Sequence, residues 1–215
     1  MKPVAVLYAT REGQTRKIAG HIAEGLRKRG LRTVLSNVKD ATGTDLPSYS
    51  PAILAASVHA GRHEREMLRF VKLNRSELNE LPTAFVSVTL SQAGVERPSA
   101  SAEERKVFTA GVTGVADEFL YETGWRPTHI KPVAGALLYT KYNPLMRFVM
   151  KRIAKKAGAE TDTSRDYEYT DWAELDRFTG TLASELGAGV NNHLAPAECS
   201  LDPHCKNECA NCLLP

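Results

Sequence analysis

The hydrophobic pattern changes period almost as soon as the chain begins. Val4-Ala5-Val6-Leu7-Tyr8-Ala9 is a continuous apolar run, the pattern of a strand buried on both faces. After a polar turn, Ile18, Ile22 and Leu26 recur every four residues, and Arg27, Lys28 and Arg29 load the last turn before Gly30. Those features describe an amphipathic helix with a basic end and a glycine stop. The alternation then repeats. Residues 33–35 predict a second strand and 51–56 a third. A helix follows with Met67, Phe70 and Val71 on its inner face, and 83–88 predict a fourth strand. A long polar loop is expected next. It ends where Ser101-Ala102-Glu103-Glu104, of capping-box form, opens a helix that turns Val107, Phe108, Val112, Val115 and Phe119 inward. Residues 133–138 predict a fifth strand. A last helix begins at Asp171 and buries Trp172, Leu175, Phe178, Leu182 and Leu186 at spacings of three and four.

Apolar strands alternating with helices, joined by right-handed crossovers, imply an α/β fold: a doubly wound five-stranded parallel sheet in the order 2-1-3-4-5. Ligands of such sheets bind beyond the carboxyl ends of the strands, at the switch point between strands one and three. Three loops should therefore converge, at residues 10–15, 57–63 and 89–97. A receiver domain shares the strand order, but it needs acidic residues after strand one and a phosphorylatable Asp after strand three, and this chain has neither there.

Composition narrows the class. The chain has 215 residues and 42% hydrophobic content, enough for one domain with a full core and a short appendage. A net charge of +3 is too small to argue for nucleic acid. No stretch has the length and apolarity of a bilayer span, and no signal peptide precedes strand one, so a cytoplasmic location is expected. The four cysteines are Cys199, Cys205, Cys209 and Cys212, leaving the main domain without any, as suits a reducing compartment.

The loop Thr10-Arg11-Glu12-Gly13-Gln14-Thr15 carries the clearest chemistry. A buried strand delivers it to the sheet edge, Gly13 allows close backbone approach, and the helix starting near Gln14 presents free N–H groups and a positive dipole end. Thr10 and Thr15 add hydroxyls. The loop lacks the lysine of a triphosphate loop and the glycine triplet of a dinucleotide site, so it predicts a monophosphate cradle.

These residues resemble flavodoxin-like FMN proteins, and within them the menaquinone-dependent protoporphyrinogen IX dehydrogenases with a long insertion. The resemblance spans residues 2–186. It rests on the phosphate loop, on 55–63 after strand three, on Trp125-Arg126-Pro127, on Ala134-Gly135-Ala136-Leu137, and on 158–163 followed by Tyr169-Thr170-Asp171-Trp172. It implies FMN, with its phosphate in the loop from Thr10 to Thr15. The ring would lie between Ser57, Val58, His59, Gly61 and His63 on one side and Ser87, Val88, Thr89 and Leu90 on the other, with Thr161 and Thr163 closing over it. The implied reaction is oxidation of protoporphyrinogen IX to protoporphyrin IX, with a membrane quinone as acceptor, in haem biosynthesis. A homo-oligomer is compatible with it. The chain departs from the family in lacking an aromatic flavin-stacking residue in the third- and fourth-strand loops, which leaves His59 or His63 to contact the ring. The alternative is a flavodoxin-like electron carrier with no substrate of its own, or a domain that has lost FMN and serves as a scaffold.

Two segments lie outside the alternating core. In the insertion, residues 139–170, an apolar stripe of Leu145, Met146, Val149 and Ile153 runs beside a basic one of Arg147, Lys151 and Lys155, with Arg152 adjoining. That composition suits an interfacial helix on an anionic membrane, at the inner face of the cell membrane, or a clamp on porphyrin propionates. An ordinary surface helix has a similar pattern. Residues 1–188 form the expected FMN domain. A flexible break is expected at 187–192, and 189–215 form a tail whose four cysteines are spaced for zinc, for an iron–sulfur cluster, or for free redox-active thiols.

Overall fold

The computed structural model describes residues 2–41, 45–156 and 159–191. The cysteines of the tail, and with them the predicted metal site, lie outside the described residues. In chain order the first elements are β1 (Val4–Ala9), α1 (Gln14–Lys28), β2 (Thr33–Asn37), β3 (Ala52–His59) and a two-residue strand β4 (Arg62–His63). Next come α2 (Arg65–Leu73), α3 (Arg75–Glu80), β5 (Thr83–Thr89), α4 (Leu90–Glu96), α5 (Ala102–Thr123) and β6 (His129–Ala134). The remainder is β7 (Ala136–Leu137), α6 (Pro144–Lys156), β8 (Tyr167–Glu168) and α7 (Trp172–Asn191).

The main sheet runs β2-β1-β3-β5-β6, all parallel, with β4 folded back antiparallel on β3. Apart from the inserted β4 this is the expected order. The central strands β1 and β5 are buried along their whole length, because helices cover both faces of a parallel sheet and leave no solvated side to alternate toward. One core packs Leu7, Leu54, Phe85, Phe119 and Trp125 together with Met67 and Val71 of α2. The Trp125 indole N–H donates to Thr83 Oγ1 at 3.2 Å, so the ring is buried without an orphaned donor. The structure divides into a compact unit to Ala183 and a second from Ser184, of which the described part is the end of α7.

Several expectations need correcting. The loop expected after the fourth strand contains α4. Thr89 starts this helix by accepting the Ser91 N–H at 3.2 Å, and Gly94 lets it press on α5, where a Cβ would meet the Phe108 ring at 2.6 Å. Such a helix is held by one close approach rather than by an apolar stripe, so periodicity misses it. Val107, read as inward, is 63% exposed. The fifth strand begins earlier than expected, at His129, and the chain leaves the main sheet at Gly135. Ala136 and Leu137 pair instead with β8. The apolar run at 133–138 crosses from one buried environment to another, so hydrophobicity does not mark the boundary. The edge strand before it is half polar because one of its sides lacks a neighbour. Finally, α7 continues to Asn191 through the stretch read as a flexible break, with Gly187 and Gly189 in its last turns, since each glycine costs a helix only about 1 kcal/mol.

Candidate functional site

The carboxyl ends of β1, β3 and β5 open into a cleft of about 270 Å³ at the switch point. At one end of it, β1 passes through Thr10–Gly13 into α1. Gly13 takes φ 102°, a left-handed conformation open to glycine, and its N–H donates to Thr10 Oγ1 at 3.0 Å. The first intrahelical bond of α1 runs from Lys17 N–H to Gly13 C=O, which leaves the amides of Gln14, Thr15 and Arg16 ahead of it in the anion-binding position of a helix N-terminus. Thr15 is 1% exposed and its hydroxyl has no hydrogen-bond partner. A buried hydroxyl left unpaired costs about 1–3 kcal/mol. This one stands at the head of a helix where a ligand oxygen would satisfy it. Thr10 keeps its own O–H to donate while its lone pair holds the Gly13 amide.

The other end of the cleft has two walls and a roof. One wall is the β3–β4 hairpin, whose tip at Ala60 and Gly61 has positive φ at both positions, 49° and 77°, as a tight hairpin turn requires. Beside it, His59 Nε2 lies 3.2 Å from a carboxylate oxygen of Glu12 and 3.2 Å from one of Glu64. Glu64 is 6% exposed, and it also takes the Arg11 guanidinium at 3.2 Å and the Ser57 hydroxyl at 3.3 Å. The second wall is Val88, Thr89 and Leu90, with Gly135 and Ala136 behind. The roof comes from the insertion: Tyr142, Met146, Met150 and Ile153 all reach the cleft.

Local chemistry explains why the insertion folds there. Asn143 accepts the Met146 N–H at 2.8 Å through its side chain and the Arg147 N–H at 2.8 Å through its carbonyl, and Pro144 occupies the first helical position. Arg147 donates from Nε to Tyr139 O at 3.0 Å and from Nη2 to Tyr142 O at 3.2 Å, tying the helix to the turn before it. A small second core of Leu137, Tyr139 and Ala154 anchors the inner face, with Leu90, Tyr142, Met150 and Tyr169 against it. Lys141 reaches back to the phosphate-type loop, donating to Glu12 O at 2.8 Å, and its ammonium lies 3.8 Å from where a Gly13 Cβ would be.

Most of the residues expected from the sequence line this cleft, including Thr10, Thr15, Ser57, His59, Thr89 and Leu90. Gly13, which shapes the loop through its backbone, and His63, Ser87, Thr161 and Thr163 do not. His63 is buried between Phe85 and Phe119, at ring distances of 5.0 and 4.9 Å, and shares a hydrogen bond of 2.9 Å with Ser87 Oγ. Burial lowers its pKa to about 4, so it is neutral. Arg147 is occupied by backbone carbonyls rather than presented outward. No spacing or motif signals that Lys141 and Tyr142 return to a loop 129 residues before Lys141. Tyr142 brings an aromatic ring from the insertion to the cleft, and burial raises its pKa.

The chain matches the flavodoxin domain family over residues 5–164. It is 34% identical over 178 residues to the protoporphyrinogen IX dehydrogenase (quinone) of Escherichia coli (strain K12), which covers 83% of this chain and 93% of that protein. It is 32% identical over 180 residues to the enzyme of the same name from Leishmania major, covering 83% and 74%. Among solved structures, oxidised Flavodoxin 1 from Bacillus cereus superposes with a TM-score of 0.50 over 85% of this chain and 97% of that one, at 16% identity. That last likeness concerns the fold alone.

Proposed function

The chain belongs to the flavodoxin domain family, beside relatives that are quinone-type protoporphyrinogen IX dehydrogenases, and from that premise we propose that it is an FMN-dependent oxidoreductase that oxidises protoporphyrinogen IX and passes the electrons to a membrane quinone. The observation that carries the cofactor is Thr15 Oγ1, buried and unpaired at the N-terminus of α1. A phosphate monoester satisfies this hydroxyl, the Thr10 hydroxyl and the amides of the first turn together. The ring belongs between the hairpin Ser57–Gly61 and the segment Val88–Leu90, beneath Tyr142, Met146 and Met150. When bound, FMN supplies the electron-transfer chemistry.

The chain's own residues bind, orient and exclude water. The roof helix shields the cleft, and His59 stands between Glu12 and Glu64 at the hairpin wall. Outside the roof, α6 exposes Leu145, Phe148 and Val149 among Lys151, Arg152 and Lys155. This face suits an anionic membrane surface, where the quinone resides. Among the described residues no helix is long and apolar enough to cross a membrane. The attachment proposed through α6 is peripheral and on the cytoplasmic side. Cys199, Cys205, Cys209 and Cys212 are a candidate ligand set for zinc or an iron–sulfur cluster in a tail outside the flavin domain. Near-stoichiometric metal in anaerobically purified protein is the test of that set, and metal-free protein with four freely reactive thiols rejects it.

The principal test is direct. Purified protein should be yellow with about one FMN per chain, and with protoporphyrinogen IX and a quinone under anaerobic conditions it should generate porphyrin fluorescence. Flavin-loaded protein that forms no porphyrin, yet exchanges electrons with a reductase, would replace the enzyme reading with that of a carrier.

A further inference from the structure

Two cavities adjoin the flavin cleft, and their chemistry is opposite. The first, of about 520 Å³, opens between α2 and α5 and meets the flavin cleft at Arg11, His59 and Ala60. It is lined by charge. Its carboxylates are already paired: Glu64 with Arg11, Glu66 with Lys39, Glu118 with Arg62 and Glu122 with Lys72, at 3.0–3.2 Å. Arg65 and Arg69, one helical turn apart, are left to face its space. The second cavity, of about 310 Å³, lies between α4 and α6 and meets the flavin cleft at Leu90 and Ile153. Apart from its rim its walls are apolar: Leu90, Ala93, Phe108, Leu137, Ile153 and Ala154. The charged groups at that rim are engaged within the protein. Arg97 pairs with Glu104 at 3.1 Å and lies over the Phe108 ring, Glu96 accepts from Gln92 at 2.8 Å, and Glu160 accepts from the Tyr169 hydroxyl.

We propose that the apolar cavity between α4 and α6 is the binding site for the quinone acceptor, an uncharged planar ring. The proposal rests on the oxidoreductase reading above and deepens it. An uncharged ring loses little hydration on entering this cavity, and its polar edge needs donors at one side only. Alternate residues of the segment around β7 serve the two spaces, with Leu137 facing the quinone cavity and Ala136 and Leu138 facing the flavin cleft, so a ring in the first is one layer of side chains from a flavin in the second. Ile153 and Ala154 of the cavity wall belong to the helix that exposes Leu145, Phe148 and Val149, so the cavity shares an element with the face proposed to meet a bilayer. The charged cavity offers Arg65 and Arg69 to anions and has no wall from that helix.

The experiment uses flavin-loaded, full-length protein and a short-tailed, water-soluble naphthoquinone. Ala93→Trp places an indole in the cavity from α4. It should weaken naphthoquinone binding, followed by calorimetry, by roughly tenfold or more and raise the quinone KM in step, with FMN content unchanged as the measure of folding. Arg69→Ala, in the charged cavity, should leave naphthoquinone binding within a factor of about two. Because the Trp variant could fail to fold, an azido-naphthoquinone photolabel on the wild-type chain gives an independent reading: label on residues 90–98, on Phe108 or on Ile153 and Ala154 supports the assignment, and label on α2 or on residues 115–122 of α5 overturns it. Unchanged quinone binding in folded Ala93→Trp also overturns it, as does a raised porphyrinogen KM with quinone binding intact. A wild-type protein that binds the naphthoquinone but forms no porphyrin keeps the cavity assignment and defeats the porphyrinogen reading. One that binds no quinone defeats both.

Discussion

The two ends of the flavin cleft are built in opposite ways. The phosphate end is local: one strand, one turn and one helix start, all within Thr10–Thr15, with a single left-handed glycine and an unpaired buried hydroxyl. The ring end is assembled from four separate parts of the chain, namely the β3–β4 hairpin, the end of β5, the segment around Gly135 and the roof from α6. A local site is held by backbone geometry and changes little when distant residues change. An assembled site depends on the ties that bring its parts together, so it is the end where acid, salt or a distant mutation should be felt.

The largest expected effect tests one of those ties. His63 joins the hairpin wall to β5 through Ser87, and burial holds its pKa at about 4 against the ordinary 6.5. Between those values the unfolded chain binds a proton that the native state refuses. Stability present above pH 6.5 is therefore lost as pH falls toward 4, by up to about 3 kcal/mol. Urea denaturation across that window should show the loss, and His63→Gln should flatten it. An unchanged stability between pH 7 and 4.5 would remove His63 as the tie.

At the phosphate end, Thr15→Val keeps the shape and removes the hydroxyl. FMN affinity should drop by about 2 kcal/mol, roughly thirtyfold, with riboflavin affinity unchanged, since hydrogen bonds to charged groups contribute about 1.5–3 kcal/mol. Fluorescence titration of the apoprotein measures both. The variant should also be slightly more stable than the wild type without flavin, because an unpaired buried oxygen is gone. Equal losses for FMN and riboflavin would mean that this hydroxyl does not face the phosphate.

The same division between local and assembled governs what the sequence discloses. Thr10–Thr15 reads as a phosphate loop because everything it needs is contiguous, and the capping box of Ser101 and Glu104 forms as read, with both reciprocal bonds present. The order of the sheet follows from the alternation of apolar runs. The roof was hidden for a different reason. Met146 and Met150 look like any apolar positions of an amphipathic helix, and the preference of α6 for the cleft is set by Arg147 reaching two carbonyls of the preceding turn, a pairing that no spacing rule encodes. His63 misleads in the same way. A histidine in a ligand-binding loop looks like a contact residue, and its removal into the core is decided by Phe85 and Phe119 from other elements.

Arg147→Ala should therefore loosen the roof with the frame intact. Two charged-donor bonds at a half-buried position imply a loss of about 1.5 kcal/mol in stability. The change should appear chiefly as faster hydrogen exchange in α6 and as a weaker grip on riboflavin. Exchange in α1 should be unaffected, and if α1 loosened equally the two ends would be one cooperative unit.

The smallest expected effect lies where the two ends meet, at Lys141. Its ammonium is held by Glu12 O at 2.8 Å, on an exposed side chain, beside Gly13. An exposed charge facing a phosphate is worth about 0.5–1 kcal/mol, so Lys141→Met should weaken FMN by roughly threefold at low salt. At 1 M salt, where the screening length is about 3 Å, most of the difference from the wild type should vanish. Riboflavin has no phosphate for the ammonium to meet and should bind both forms alike. If Lys141→Met instead weakens riboflavin and FMN by the same factor, and salt does not alter it, then Lys141 acts by pinning the roof to the loop. The phosphate end would in that case owe part of its grip to the insertion, and the separation of a local end from an assembled one would not hold.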